Sequence, residues 1–550
     1  MGNKKLQAAL VIALFGLAAY TQLTQLTSVP GLHFDEAWQG NFANRIATEP
    51  GFRPTEAMNS YTTPIVHYLL ALVFRAFGPS LEAMRGAYAA MNLGSLALLA
   101  ALLWWLGERA AVAWFTLMWA LLPLAVHDHR FHVEVTGFHS LCFAVLVWGL
   151  ALWRRRPVLS PVLVAASIVA GTYSHVLFIS VFAAGLFALA RSFPAEFRSR
   201  RSQALITVVA LLLIPLPVRM GLGLGKASPL ALAGALACTA AWAALTPRWI
   251  RGYSLWQRWP RRAMRLSKLA FVCALPFLVG FVALLWNGPW PYAQATGHLD
   301  NVRWMPLNAL IFLMLMAMQL NTRARTLFGG AHVDERRHDE LRERYHLSPS
   351  LVWGAFVATF LVASILILKQ SPRYYTVPTI LAMIWASQRL ARIHSRKAQL
   401  QIAVIFAAWN LWAFEHEYLA RFEHSGSTTI EFTAGPYHDN GRDFRPFQKL
   451  FAWGLETGCL SRTPWVEDDR FGQPFRFLWL SSPGPKPDAR CPWPPGDVFY
   501  SHITDYDPRV ADASRNDSNT PPPGDAPNVK FLAHFPEWGD LAVWIRRKPR

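Results

Sequence analysis

Apolar stretches of roughly 20 residues recur from Leu6 to about Phe414, and nothing else in the chain constrains its fold as strongly. A helix of that length rises about 30 Å, the thickness of a bilayer's hydrocarbon core, where the backbone has no water to bond and only helices or closed barrels satisfy it. The stretches predict about thirteen transmembrane helices, near 6–28, 86–106, 111–126, 136–153, 158–173, 176–190, 203–219, 228–245, 269–287, 305–320, 350–368, 374–388 and 399–415. The expected fold class is a polytopic α-helical membrane protein. An ordinary soluble enzyme is excluded, because 53% of the residues are hydrophobic and only 16% are charged.

The formal net charge of +19 would suggest a nucleic-acid partner in a soluble protein. Here its distribution gives another explanation. Lys4 and Lys5 precede the first span, which continues without a small-residue cleavage site, so the N-terminus is placed in the cytoplasm. Alternation then puts Arg154 to Arg156, Arg191 to Arg201, Arg248 to Lys268, Arg323 to Arg344 and Arg389 to Lys397 on the cytoplasmic side. The opposite short loops carry few cations, so the charge is mostly a topology signal and no nucleic acid is expected. Basic loops on that side also favour anionic lipid headgroups.

An odd number of spans leaves residues 416–550 on the extracytoplasmic side, as a domain separate from the membrane region 1–415. Seventeen of the 38 prolines fall there, in runs such as Pro521-Pro522-Pro523 that cannot continue helices. The aromatic stretches Phe475 to Leu480 and Leu541 to Ile545 read as strands, so a small mixed α/β domain is expected. Cys142, Cys238 and Cys273 lie in apolar spans and read as packing residues. Cys459 and Cys491 are the cysteines of the exported domain, where an oxidising compartment would allow a disulfide; two unpaired thiols are the alternative.

The candidate chemistry lies outside the spans. The first extracytoplasmic loop, 29–85, opens with His33-Phe34-Asp35-Glu36-Ala37-Trp38. Adjacent carboxylates at a membrane face are candidates for a base, a metal ligand or a substrate contact. Their plain alternative is a pair of first-turn charges on a helix running to about Thr48, favoured by its dipole. Later come Tyr61-Thr62-Thr63-Pro64-Ile65-Val66-His67-Tyr68-Leu69-Leu70 and Arg85, which opens the second span. The next outward turn, His127-Asp128-His129-Arg130-Phe131-His132-Val133-Glu134, is dense in ionisable groups, but its histidines lack a tetrahedral metal spacing. Glu134 also reads as a helix N-terminal charge. Thr172-Tyr173-Ser174-His175 follows at another outward turn, where a histidine also serves as a cap. In Lys369-Gln370-Ser371-Pro372-Arg373-Tyr374-Tyr375, the planar guanidinium of Arg373 suits a lipid phosphate, with an interfacial snorkelling cation as the alternative.

These motifs, in this order, resemble the GT-C superfamily of polyprenyl-phosphate-sugar-dependent glycosyltransferases, in the branch of protein O-mannosyltransferases and lipid A aminoarabinose transferases. Asp35-Glu36, the proline-centred helix Pro64 to Leu70 and Arg85 match that branch in order and approximate spacing. Thr63 stands where the branch usually has a second proline, His67 is unusual in the interfacial helix, and Glu134 replaces a more usual aspartate. Thr172 to His175 and the Arg373-Tyr374 element resemble further motifs of the branch.

The resemblance implies transfer of a monosaccharide from a polyprenyl-phosphate-linked donor to an acceptor hydroxyl of a glycan, lipid or protein. The reaction would invert the anomeric centre, at the extracytoplasmic face of the plasma (inner) membrane. Asp35 would be the base, with Glu36 positioning it or contacting the acceptor. Arg373, assisted by Arg130 or Arg85, would hold the phosphate, and Glu134, His175 and Tyr374 would meet substrate. The branch works without a metal, so no cofactor is expected, a divalent ion being the alternative. The rival reading is a lipid or glycan transporter without catalysis. It predicts charges or broken helices near the bilayer midplane, whereas the polar motifs here lie at one face.

Overall fold

The structure is a computed structural model that describes residues 4–28, 32, 34–57, 62–130, 135–153, 155–181, parts of 204–213 and 352–360, 372–393, 395–419, 445–458, 469–482, 484, and the segments 497–502, 529–535 and 541–546. The expected spans 228–245, 269–287 and 305–320 lie outside the described residues, as do most of 176–190, 203–219 and 350–368. Numbered in the order of the described elements, the helices are α1 (Lys4–Leu23), α2 (Phe34–Thr48), α3 (Ile65–Phe77), α4 (Leu81–Trp105), α5 (Arg109–Leu121), α6 (Pro123–Arg130), α7 (Gly137–Ala151), α8 (Leu159–Ser174), α9 (Thr376–Leu390), α10 (Arg396–Ala413), α11 (Arg445–Thr457) and α12 (Asp469–Leu480). Short 3-10 turns cover Val176–Phe178 and Pro372–Tyr375.

Among the described residues, Lys5–Leu23 and Leu81–Trp105 are long and apolar enough to cross a membrane. The 25 residues of α4 rise about 37 Å, and Ser80 fixes its start by accepting a hydrogen bond from the Ala83 N–H through its side chain. The span expected at 111–126 is two helices. Pro123 disfavours the helical conformation in the residue before it, and Leu122 accordingly turns to an extended ψ of 118°. α7 and α8 form an antiparallel hairpin that is tight at Gly149: a Cβ there would lie 2.8 Å from Val164 Cγ2, and Ser160 Oγ donates to the Gly149 carbonyl at 2.6 Å.

The core runs through the interfaces of α1, α4, α5, α7 and α9, where Tyr88, Phe115, Trp119, Phe143 and Trp385 are buried. Outward apolar side chains such as Ile12, Leu72, Val162 and Val404 remain more than half exposed. That pattern suits a hydrocarbon surround, in which exposed leucine and valine cost nothing.

In the C-terminal quarter, strands β1 (Asp497–His502), β2 (Val529–Phe535) and β3 (Leu541–Arg546) form an antiparallel sheet in the order β1-β3-β2, with a register shift between Phe531 and Ala533. The strand expected at Leu541 to Ile545 is present as β3. The one expected at Phe475 to Leu480 is instead the end of α12. The alternating Phe475-Arg476-Phe477 pattern suggests period two, but the segment is helical, with Gln473 and Phe477, four apart on one helical face, buried where α12 packs against α2.

Candidate functional site

The site is built on α2. Its first turn carries Asp35 and Glu36, at the positive end of the helix dipole where carboxylates are favoured. Glu36, Gln39, Gly40, Ala43 and Ile46 form the buried stripe, so the two adjacent carboxylates separate. Glu36 points into the protein and is fully buried, while Asp35 is half-buried. Glu36 meets Arg85 of α4 in a bidentate pair: Arg85 Nη2 donates to Oε2 at 2.7 Å and Nε to Oε1 at 3.3 Å, with neither side chain exposed. A third donor, Arg85 Nη1, reaches the Leu26 carbonyl at 2.7 Å. One turn along, Gln39 Oε1 accepts from the Tyr88 hydroxyl at 2.5 Å. The first loop is thereby fastened to both α1 and α4.

Arg130, the other cation given a phosphate role on sequence grounds, is also an internal tie. It is 1% exposed and donates to the Thr21 carbonyl at 2.6 Å and the Thr24 carbonyl at 2.7 Å. Those are the carbonyls a helix C-terminus leaves without intrahelical partners, at its negative end. The chain turns away immediately afterwards through Gln25, at a left-handed φ of 47°. Arg130 therefore caps α1. Arg85 and Arg130 are both buried.

Three further motifs meet one another. Thr63 donates to the Tyr173 carbonyl at the end of α8 through both its hydroxyl, at 2.6 Å, and its N–H, at 3.0 Å. Only a non-proline residue can make the second bond, which gives a physical reason for threonine at this position. His175, directly after α8, accepts from the Leu177 N–H through Nδ1 at 3.2 Å. Its ring lies 5.7 Å from that of Tyr374, which is half-buried on the Pro372–Tyr375 turn before α9. Arg373 belongs to that turn, and its side chain is outside the described residues. So are Glu134, His132, Cys459 and Cys491. Cys142 is buried in α7.

His67 lies on the buried face of α3, with its ring 5.4 Å from Trp38 and 5.1 Å from Phe42, edge-on to both. Neither ring nitrogen has a hydrogen-bond partner, and burial pushes its pKa down to about 3. It is a neutral packing residue between α2 and α3. His129 is buried and stacked on Trp119 at 4.3 Å. Among the described residues no group of three or more His, Cys, Asp or Glu side chains is placed to hold a metal ion.

Residues that sequence reading passed over tie the site together: Gln39, Gly40 and Asn41 on α2, Tyr88 on α4, and Gln473 and Phe477 on α12. Gly40 carried a signal. Glycine within a helix costs about 1 kcal/mol relative to alanine, which a close neighbour can justify.

No family model matches the chain, and no curated protein matches it. Among solved structures, the chain is similar to the archaeal oligosaccharyltransferase AglB from Archaeoglobus fulgidus in complex with an inhibitory peptide and a dolichol-phosphate. That match has a TM-score of 0.42 and 12% identity over 82% of this chain, which spans 58% of the length of AglB. The same oligosaccharyltransferase in complex with Zn and sulfate matches with a TM-score of 0.44 and 14% identity, over 88% of this chain and 58% of that one. ArnT from Cupriavidus metallidurans in the apo state matches over 99% of both chains, with a TM-score of 0.41 and 13% identity. Likeness of this degree assigns no residue roles and does not by itself decide the fold.

Proposed function

We propose that this chain is a membrane glycosyltransferase that moves a monosaccharide from a polyprenyl-phosphate donor to an acceptor hydroxyl, with inversion, at the extracytoplasmic face. The observation that carries the reading is the separation of the adjacent carboxylates. Glu36 is locked to Arg85 inside the protein, while Asp35 lies half-buried beside it on the first turn of α2. A carboxylate on a pinned helix is suitably mounted for a general base.

In the step proposed, Asp35 accepts the proton of the acceptor hydroxyl. The hydroxyl oxygen bonds to the anomeric carbon on the face opposite the phosphate, and the bond from that carbon to the phosphate oxygen breaks, its electron pair leaving with the lipid phosphate. Charge grows on that phosphate, and Arg373 is the residue assigned to meet it with hydrogen bonds from a group that stays protonated. His175, Tyr374 and Glu134 are assigned to the sugar and acceptor. Glu36, Arg85 and Arg130 take positioning roles, holding α2 and the end of α1. The step needs no metal. Residues 1–415 would form the catalytic region, with residues 416–550 on the extracytoplasmic side and the N-terminus in the cytoplasm.

The reading is tested by incubating purified protein with a panel of radiolabelled polyprenyl-phosphate monosaccharides and candidate acceptors, and measuring transfer. Transfer with inversion of the anomeric centre is the expected result. If no donor is consumed while the protein binds polyprenyl phosphate or moves it across a vesicle membrane, the transporter reading replaces it.

A further inference from the structure

α12 lies more than 400 residues after α2 in sequence, yet it packs along α2, the helix that carries Asp35. Phe477, 1% exposed, is the centre of that contact. Its ring occupies the space that a side chain at Gly40 would need, so that a Cβ there would fall on ring carbons Cε2 and Cδ2 of Phe477. On its other side the ring faces Phe74 of α3, 6.1 Å between centroids. Phe477 is thus a wedge between α2 and α3. One residue along from Gly40, Asn41 Nδ2 donates to the Gln473 side-chain oxygen at 2.8 Å and to the Gln473 carbonyl at 2.9 Å. Gln473 is itself 8% exposed, so these bonds are sheltered from competing water. α11 backs α12 through an edge-to-face contact of Phe451 with Trp479.

We infer that α12 is a positioning clamp: the C-terminal region holds α2, and through it Asp35, by seating Phe477 against Gly40. Asp35 stands five residues before Gly40, about 7.5 Å along the helix axis, so a tilt or shift of α2 at Gly40 is passed to the carboxylate. The inference rests on the proposed role of Asp35 for its consequence in catalysis, but not for the clamp itself. It gives the C-terminal region a task in the site without requiring it to contribute a reacting group.

The complementary shapes supply the test. Gly40→Ala removes a helix-weakening glycine and, without α12, would slow hydrogen exchange in α2. Against Phe477 the added methyl displaces α12, so exchange of the α2 amides rises instead, by at least about tenfold. Phe477→Ala has the same effect, and the Gly40→Ala/Phe477→Ala pair restores protection towards wild type because the methyl fits where the ring was. Sugar transfer, measured on the same membranes, falls in both single variants through kcat and recovers in the pair. Slower α2 exchange in Gly40→Ala, or losses that simply add in the pair, overturn the clamp. Should the exchange pattern appear in a protein that transfers no sugar, the clamp stands and the assigned reaction fails. Normal transfer with α2 exchange unmoved by either single variant refutes the clamp and leaves the assigned reaction standing.

Discussion

Removing Glu36 while keeping Arg85 is the perturbation whose size the structure specifies best. The pair is bidentate, at 2.7 and 3.3 Å, and neither side chain is exposed. In Glu36→Leu the Arg85 guanidinium keeps its bond to the Leu26 carbonyl but loses the Glu36 carboxylate in a buried site. Uncompensated buried charges of this kind cost about 3–5 kcal/mol. At about 2–4 °C per kcal/mol for a cooperative unit of 150–250 residues, the thermal midpoint of the purified protein in detergent should drop on the order of 10 °C. Replacing both partners, as Glu36→Leu with Arg85→Met, leaves no orphaned charge and should recover most of that loss. A single variant within about 1 kcal/mol of wild type, or a double variant no better than the single, would refute the structural role given to this pair.

Two further outcomes follow from the same geometry. His67 is neutral when folded, with a pKa lowered to about 3, and takes a proton near 6.5 when the first loop opens. Between those values the opened form binds more protons, so the α2–α3 packing should weaken as pH falls below about 6.5, by up to roughly 1.4 kcal/mol per unit. Proteolysis of the first loop across that range measures it, and His67→Leu should flatten the profile. Metal removal supplies the other outcome: chelation with EDTA should leave sugar transfer unchanged, and loss of activity restored by a divalent ion would show that a metal takes part.

Much of the described helical region was legible in the sequence because bilayer thickness leaves few ways to arrange long apolar runs. α1, α4, α7, α8, α9 and α10 fall within a few residues of the expected spans. The start of α2 was legible too, since its first-turn acids suit the helix dipole. Other features depended on contacts that no local pattern encodes. Glu36 and Arg85 were both visible as candidates, but their pairing across 49 residues is not encoded in any local pattern. Arg130 could not be recognised as a cap before the end of α1 was placed beside it. The Leu122 break was readable from Pro123 and was overridden by the continuity of the apolar run. At Phe475 to Leu480 an alternating pattern competed with an i, i+4 pair, and burial against α2 decided for the helix.

Asp35, next to the locked Glu36 on the first turn of α2, is the proposed base that activates the acceptor. Its most direct test is the rate of sugar transfer from a polyprenyl-phosphate donor by the wild type and by Asp35→Asn, which keeps the shape of the side chain and removes its ability to take a proton. The expected result is a fall of at least about a hundredfold with donor binding retained, in line with general acid–base contributions. Transfer that survives the substitution would contradict it.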